Sequence, residues 1–134
     1  DKTMNLVFNL DGVICTPPKG IEVGIYSYIG SCLPIEDTNE FMQWCKKNGH
    51  HITIWAERPN DLAVKVATEA WLEINQVPYD RLLFDRPNSY IDIDEAPSHA
   101  KFYKHIGDMS VVAEMYEEWK NDKTRTDKRK ETEH

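Results

Sequence analysis

Two short apolar runs, Leu6–Leu10 and the β-branched, aromatic His51–Trp55, each lead into residues with helical rather than alternating periodicity. This alternation constrains the fold more than any other feature of the chain. Strands separated by helices pair in parallel, through right-handed crossovers that lay helices over the sheet. Thr38–Asn48 is the first such helix, with Phe41, Trp44 and Cys45 at helical spacing and Gly49 as its stop. Beyond Pro59-Asn60-Asp61, the residues Leu62, Val66, Ala70, Trp71 and Ile74 recur at helical spacing and predict an amphipathic helix that turns them to the core. Arg81–Phe84 and Tyr90–Ile93 read as short strands. A last helix is expected over Met109–Trp119, with Val112, Met115, Tyr116 and Trp119 on one side.

The order predicts an α/β fold: a three-layer α/β/α, Rossmann-like parallel sheet with no large cap domain. Residues 1–119 form one domain in this reading, and Met4 reads as the natural start. Gly12–Pro34 is too long for a plain turn, so a small hairpin or flap over the strand ends is expected there. Lys120–His134 is polar, of mixed charge and without apolar periodicity, which reads as a frayed or disordered tail.

Composition narrows the function. Across 134 residues there are 23 acidic and 16 basic side chains, a net charge of −7 that argues against a nucleic-acid groove, which needs a basic stripe. A small phosphate ester needs only a local cation. No apolar run is long enough for a membrane span, and no signal peptide is visible, so a cytoplasmic protein is expected. Cys15, Cys32 and Cys45 are odd in number and lack CxxC spacing, which fits reduced thiols better than zinc or a disulfide framework.

The chemistry-bearing residues fall at or just after strand ends, where parallel α/β sheets bind their ligands. Leu6-Val7-Phe8-Asn9-Leu10-Asp11-Gly12-Val13-Ile14 resembles the first signature of the haloacid dehalogenase (HAD) superfamily of phosphatases, with Asn9 where the family has its attacking aspartate. Ile52-Thr53-Ile54-Trp55-Ala56-Glu57-Arg58 resembles its second motif, with Ala56 in the place of a threonine. Phe84-Asp85-Arg86-Pro87 is similar to its Lys-Pro element, and Ile93-Asp94-Glu95-Ala96 to its acidic pair. Four elements in order, over roughly Asn5 to Ala96, match the group of small capless phosphatases often encoded with capsule or surface-polysaccharide genes.

The resemblance implies a role for each position. A strand-end aspartate would attack phosphorus, while Asp11 would serve as general acid and base. Ala56, Arg58 and Arg86 would face the phosphoryl oxygens. Asn9, Asp11, Asp94 and Glu95 would surround Mg²⁺ with oxygen. Arg86 for lysine keeps the charge, and Glu95 for aspartate keeps the carboxylate. Ala56 loses a hydroxyl donor worth about 1–3 kcal/mol where that bond counts. Asn9 differs in kind, because a neutral amide offers an oxygen to a metal but forms no acyl-phosphate.

Two origins fit Asn9: a deliberate isosteric replacement in an active enzyme, or natural loss of the nucleophile, the latter favoured by Ala56 and Arg86. The implied function is phosphomonoester hydrolysis on a small phosphorylated metabolite such as a sugar phosphate, or binding of that ligand without turnover. A structural subunit with a vestigial pocket is a third reading. Because capless relatives shield the site with a neighbour, a homo-oligomer with Gly12–Pro34 near an interface is expected. His50-His51 reads as a turn and strand start, and His99 and His105 as surface residues. A surface ion pair to Glu57 or Asp61 is the ordinary alternative for Arg58. Trp44, Trp55 and Trp71 read as packing residues. Asp92 shares a strand face with Asp94 and either supports the metal shell or caps the strand.

Overall fold

Four short strands lie side by side in the order β5-β4-β1-β6: β1 (Asn5–Asn9), β4 (His51–Trp55), β5 (Arg81–Leu83) and β6 (Ile91–Ile93). The computed structural model describes residues 3–16, 25–85, 91–93, 96–97 and 109–132. Every pairing in the sheet is parallel, with Asn9 level with Trp55, Trp55 level with Leu83, and Phe8 level with Ile93. The carboxyl ends of the strands therefore share one edge of the sheet. The expected mixed α/β architecture with a parallel sheet is present.

Pairing register assigns the two faces. Leu6 and Phe8 of β1 lie beside Ile52 and Ile54 of β4, all fully buried. Onto this face packs α2 (Glu36–Lys47), whose Phe41 meets the Phe8 ring edge-on at 6.1 Å. Phe41 also touches Tyr116 at 4.6 Å and Trp119 at 5.6 Å, residues of α4 (Met109–Thr132). Burying one such aromatic ring contributes about 1.5–3 kcal/mol. On the opposite face Val7 and Thr53 are level and equally closed to solvent.

α2 begins two residues before the expected Thr38. Glu36 and Asp37 occupy its first turn and Lys46 and Lys47 its last, which suits the helix dipole at both ends. It stops at Gly49, whose φ of 83° is the left-handed conformation a glycine adopts without strain. The Gly12–Pro34 segment does contain an antiparallel pair, β2 (Cys15–Thr16) with β3 (Leu33–Pro34), and the short helix α1 (Ile25–Ser31) lies between them.

Two expectations need correction. α4 runs to Thr132, where the sequence suggested an irregular tail from Lys120. Polar partners replace the missing apolar stripe. Trp44 Nε1 donates to Asp122 at 2.7 Å, Lys123 pairs with Glu40 at 2.7 Å, and Arg125 pairs with Asp122 one turn back at 2.8 Å.

The second correction concerns α3 (Leu62–Ile74), capped by the Asp61 carboxylate on the Ala63 N–H at 2.8 Å. Its buried side is Val64, Thr68, Trp71 and Leu72. Of the expected stripe only Trp71 is inside; Leu62, Val66 and Ile74 are 78%, 57% and 79% exposed, and Ala70 is exposed as well. Both sets have the same helical spacing. Trp71, common to both, donates Nε1 to the Cys32 carbonyl at 3.0 Å, and Thr68 distinguishes the inner set by accepting from Arg58.

Candidate functional site

The chain turns sharply after β1. Leu10 O accepts from the N–H groups of Ile14 and Cys15, and the Gly12 N–H reaches Cys15 O at 2.8 Å. Gly12 sits at φ 91°, a conformation that favours glycine in the Asp11-Gly12 pair. This turn leaves Asn9 and Asp11 at the carboxyl edge of the sheet, as the sequence pattern required.

Arg58, three residues beyond β4, comes back over the same edge. Its Nη2 meets Asp11 Oδ1 at 2.9 Å and its Nε meets Asp11 Oδ2 at 3.2 Å, a two-pronged ion pair. The Arg58 side chain is only 4% exposed and that of Asp11 28%. Geometry of this kind gives charge-assisted hydrogen bonds that fix both orientation and charge. The remaining arm, Nη1, donates to Thr68 Oγ1 at 3.0 Å. Arg58 is thus neither free nor paired with Glu57 or Asp61 on the surface.

The rest of the cluster comes from the flap. Tyr28 on α1 donates its hydroxyl to Asp11 Oδ1 at 3.2 Å, and the Arg58 guanidinium lies 5.8 Å from the Tyr28 ring centre. The Cys15 thiol reaches the same carboxylate oxygen at 3.5 Å. Burial first, and then the Asp11 charge, push the Cys15 thiol far above its ordinary range, so it stays protonated and donates. The same two causes push the Tyr28 hydroxyl up to about 12. Burial would lower the Arg58 pKa, but the hydrogen bonds and charge of Asp11 more than offset it.

Asp11, Cys15 and Cys32 bring a carboxylate oxygen and two sulfurs within 4.8 Å of one another, a grouping that can hold a cation. The cation there is Arg58, whose Nη2 lies 3.8 Å from Cys15 Sγ and 3.9 Å from Cys32 Sγ. Asn9 has opposite surroundings. Its Oδ1 is buried at the strand end and accepts no hydrogen bond among the described residues. An orphaned amide oxygen is a hard donor that suits Mg²⁺. The resemblance gives Asp11 to the metal through its backbone carbonyl, and Arg58 occupies only its two carboxylate oxygens.

Ala56 follows β4, fully buried, with its N–H bonded to Leu83 O at 2.8 Å. The expected sites Arg86, Asp94 and Glu95, and His99 and His105, lie outside the described residues, although β6 ends at Ile93 directly before the acidic pair. His50 and His51 stand at the amino end of β4, where His50 Nδ1 accepts the Met4 N–H at 3.1 Å. Asp92 lies level with Val7 in the sheet.

Sequence reasoning overlooked Tyr28, Thr68 and the two thiols as parts of this cluster. A threonine four residues after Val64 and three before Trp71 was a usable sign that the polar position lay on the buried side. No local signal marks Tyr28.

Comparison with known proteins gives a likeness of fold. No family model matches the chain, and no curated protein does. Two structures of the Pnkp1/Rnl/Hen1 assembly, one described as an RNA repair complex, contain a similar chain at TM-score 0.53 and 21% identity. The match takes in 66% of this chain but only 30% and 28% of those chains, so the present sequence spans under a third of them. A conserved protein from Bacteroides thetaiotaomicron is similar at TM-score 0.55 and 13% identity, over 87% of this chain and 92% of that one. At these identities the likeness concerns the fold alone. Among the described residues, no helix is long and apolar enough to cross a membrane.

Proposed function

We propose that this chain is a HAD-like, phosphatase-type domain that binds a small phosphorylated metabolite, such as a sugar phosphate, and does not hydrolyse it. The two-pronged Arg58–Asp11 pair carries this reading. A general acid must give a proton to the leaving oxygen and then take one from water. Asp11 is instead held as the partner of a buried guanidinium, with Tyr28 and Cys15 also donating to its Oδ1. Asn9 removes the nucleophile as well. Both carboxylates of the family's chemistry are out of action.

The resemblance to HAD motifs, the parallel sheet with its strand ends on one edge, and the likeness of fold to the proteins above all support the assignment. The full three-layer arrangement without a cap belongs to the same proposal. Mg²⁺, where bound, would draw charge from the phosphoryl oxygens. Asn9 would offer it an oxygen, with Asp94 and Glu95 as the remaining ligands and Arg86 on the phosphate. A small ligand suits the net charge of −7 better than a nucleic acid does.

The unpartnered Asn9 Oδ1 favours one second reading, a masked enzyme whose pocket is otherwise complete. Isothermal titration of the chain with glucose 6-phosphate and Mg²⁺, beside hydrolysis of p-nitrophenyl phosphate, separates the two. The proposal expects measurable binding and no turnover, either in the chain as it is or in Asn9→Asp. Turnover that appears with Asn9→Asp supports the masked enzyme, and absence of binding defeats both.

A further inference from the structure

α3 presents a continuous apolar ridge to solvent. Leu62, Val66, Ala70 and Ile74 follow one another at every fourth residue, and the three large ones are 57–79% exposed. Single exposed aliphatic side chains are ordinary, but a ridge of four along one helix face is a contact surface. By helical geometry Thr68, which holds Arg58, points away from the middle of this ridge. The ridge therefore lies on the back of the element that supports the site and takes no part in it.

We propose that this face of α3 is a homodimer interface, with a second copy of the chain packed across it antiparallel on a two-fold axis. The charges beside the ridge select that partner. Lys65, Glu69 and Glu73 all lie along one flank. In a two-fold antiparallel pair like flanks meet, and reversal of direction sets Lys65 between the partner's Glu69 and Glu73. A parallel two-fold pair would instead bring this flank against the partner's opposite one, where Ala63 and Ala67 offer Lys65 no carboxylate. Val66 and Ala70, four residues apart, pack against the partner's Ala70 and Val66 as one ridge crosses the other.

The 13-residue helix is about 20 Å long, too short alone to bury the roughly 800 Å² per partner of a stable complex. The surface continues past it. A hollow of about 360 Å³ opens along the charged flank, lined by Lys65, Glu69, Leu82, Leu83 and Phe84. Lys65 Nζ already lies 5.6 Å from the Phe84 ring centre, which holds that side chain along the contact. β5 is also an edge strand of the sheet. Half-buried leucines on an edge strand gain from being covered.

Sedimentation velocity over a concentration series tests this with the full chain. The expected result is a reversible shift from the chain mass to twice that mass. Val66→Glu should weaken association by about tenfold or more, with an unchanged circular dichroism spectrum because the position is exposed. A monomer at every concentration, or a dimer that Val66→Glu leaves intact, overturns the proposal. A second pair of variants tests orientation. Lys65→Glu makes the flank wholly acidic, and Glu69→Lys with Glu73→Lys makes it wholly basic. Each should self-associate poorly, and a mixture should restore the dimer; a mixture that stays monomeric overturns the antiparallel arrangement.

Discussion

Asn9 and Asp11 leave the end of the same strand with opposite surroundings. Around Asp11 the polar groups are satisfied: Arg58 grips the carboxylate with two nitrogens, Tyr28 and Cys15 donate to it, and Thr68 steadies the guanidinium. At Asn9 the amide oxygen is buried and accepts nothing from the described residues. A buried, satisfied network rigidifies the protein, whereas an orphaned acceptor costs stability that a ligand can recover. The Asp11 cluster is therefore the mount and Asn9 the open position. The resemblance to a phosphatase would have given both residues to catalysis.

The largest effect should come from breaking the mount. Arg58→Ala leaves Asp11 without its counter-charge, and a loss of about 3 kcal/mol in urea unfolding is expected, at the low end for a buried pair because Asp11 keeps some access to water. Pairing Arg58→Met with Asp11→Asn should return most of that loss, since no uncompensated charge remains. A double variant as unstable as Arg58→Ala would show that packing, not charge, holds the cluster.

The open position should respond in the other direction. Asn9→Leu removes an unsatisfied acceptor, so stability should stay level or rise by up to about 1 kcal/mol, while binding of glucose 6-phosphate disappears. A clear loss of stability from Asn9→Leu would mean that the amide already has a structural partner, and the contrast with Asp11 would fail.

The smallest effect is a matter of pH. The Tyr28 hydroxyl ordinarily titrates near 10.0 and is raised to about 12 in the fold. Above pH 10 the unfolded chain gives up this proton while the folded chain keeps it, so folding stability should fall as pH rises from 10 towards 12. Tyr28→Phe should flatten that part of the profile. An unchanged slope would remove Tyr28 from the cluster's electrostatics.

Much of the fold was legible because it rests on local pattern. His51–Trp55 begins and ends where the apolar run does, α3 begins directly after its Asp61 cap, and Asp11-Gly12 turns because glycine takes the left-handed conformation cheaply. α4 was only half legible. Its apolar side stops at Trp119, and the next turns are held by Glu40 and Trp44 from a distant part of the chain.

The sequence by itself determined the parallel α/β order, the gathering of Asn9 and Asp11 at one strand end, and a neutral amide at Asn9. These follow from periodicity, turn chemistry and the identity of a single side chain, each readable within a few residues. Tertiary structure alone decided which side of α3 went inward and what Asp11 and Arg58 do. Two faces of helical spacing compete on that helix, both including Trp71, and a partner remote in the chain, Arg58 for Thr68, marks the one that goes inward. An ion pair formed across forty-seven positions leaves no periodic trace, because its energy depends on distance in space and burial rather than on order along the chain.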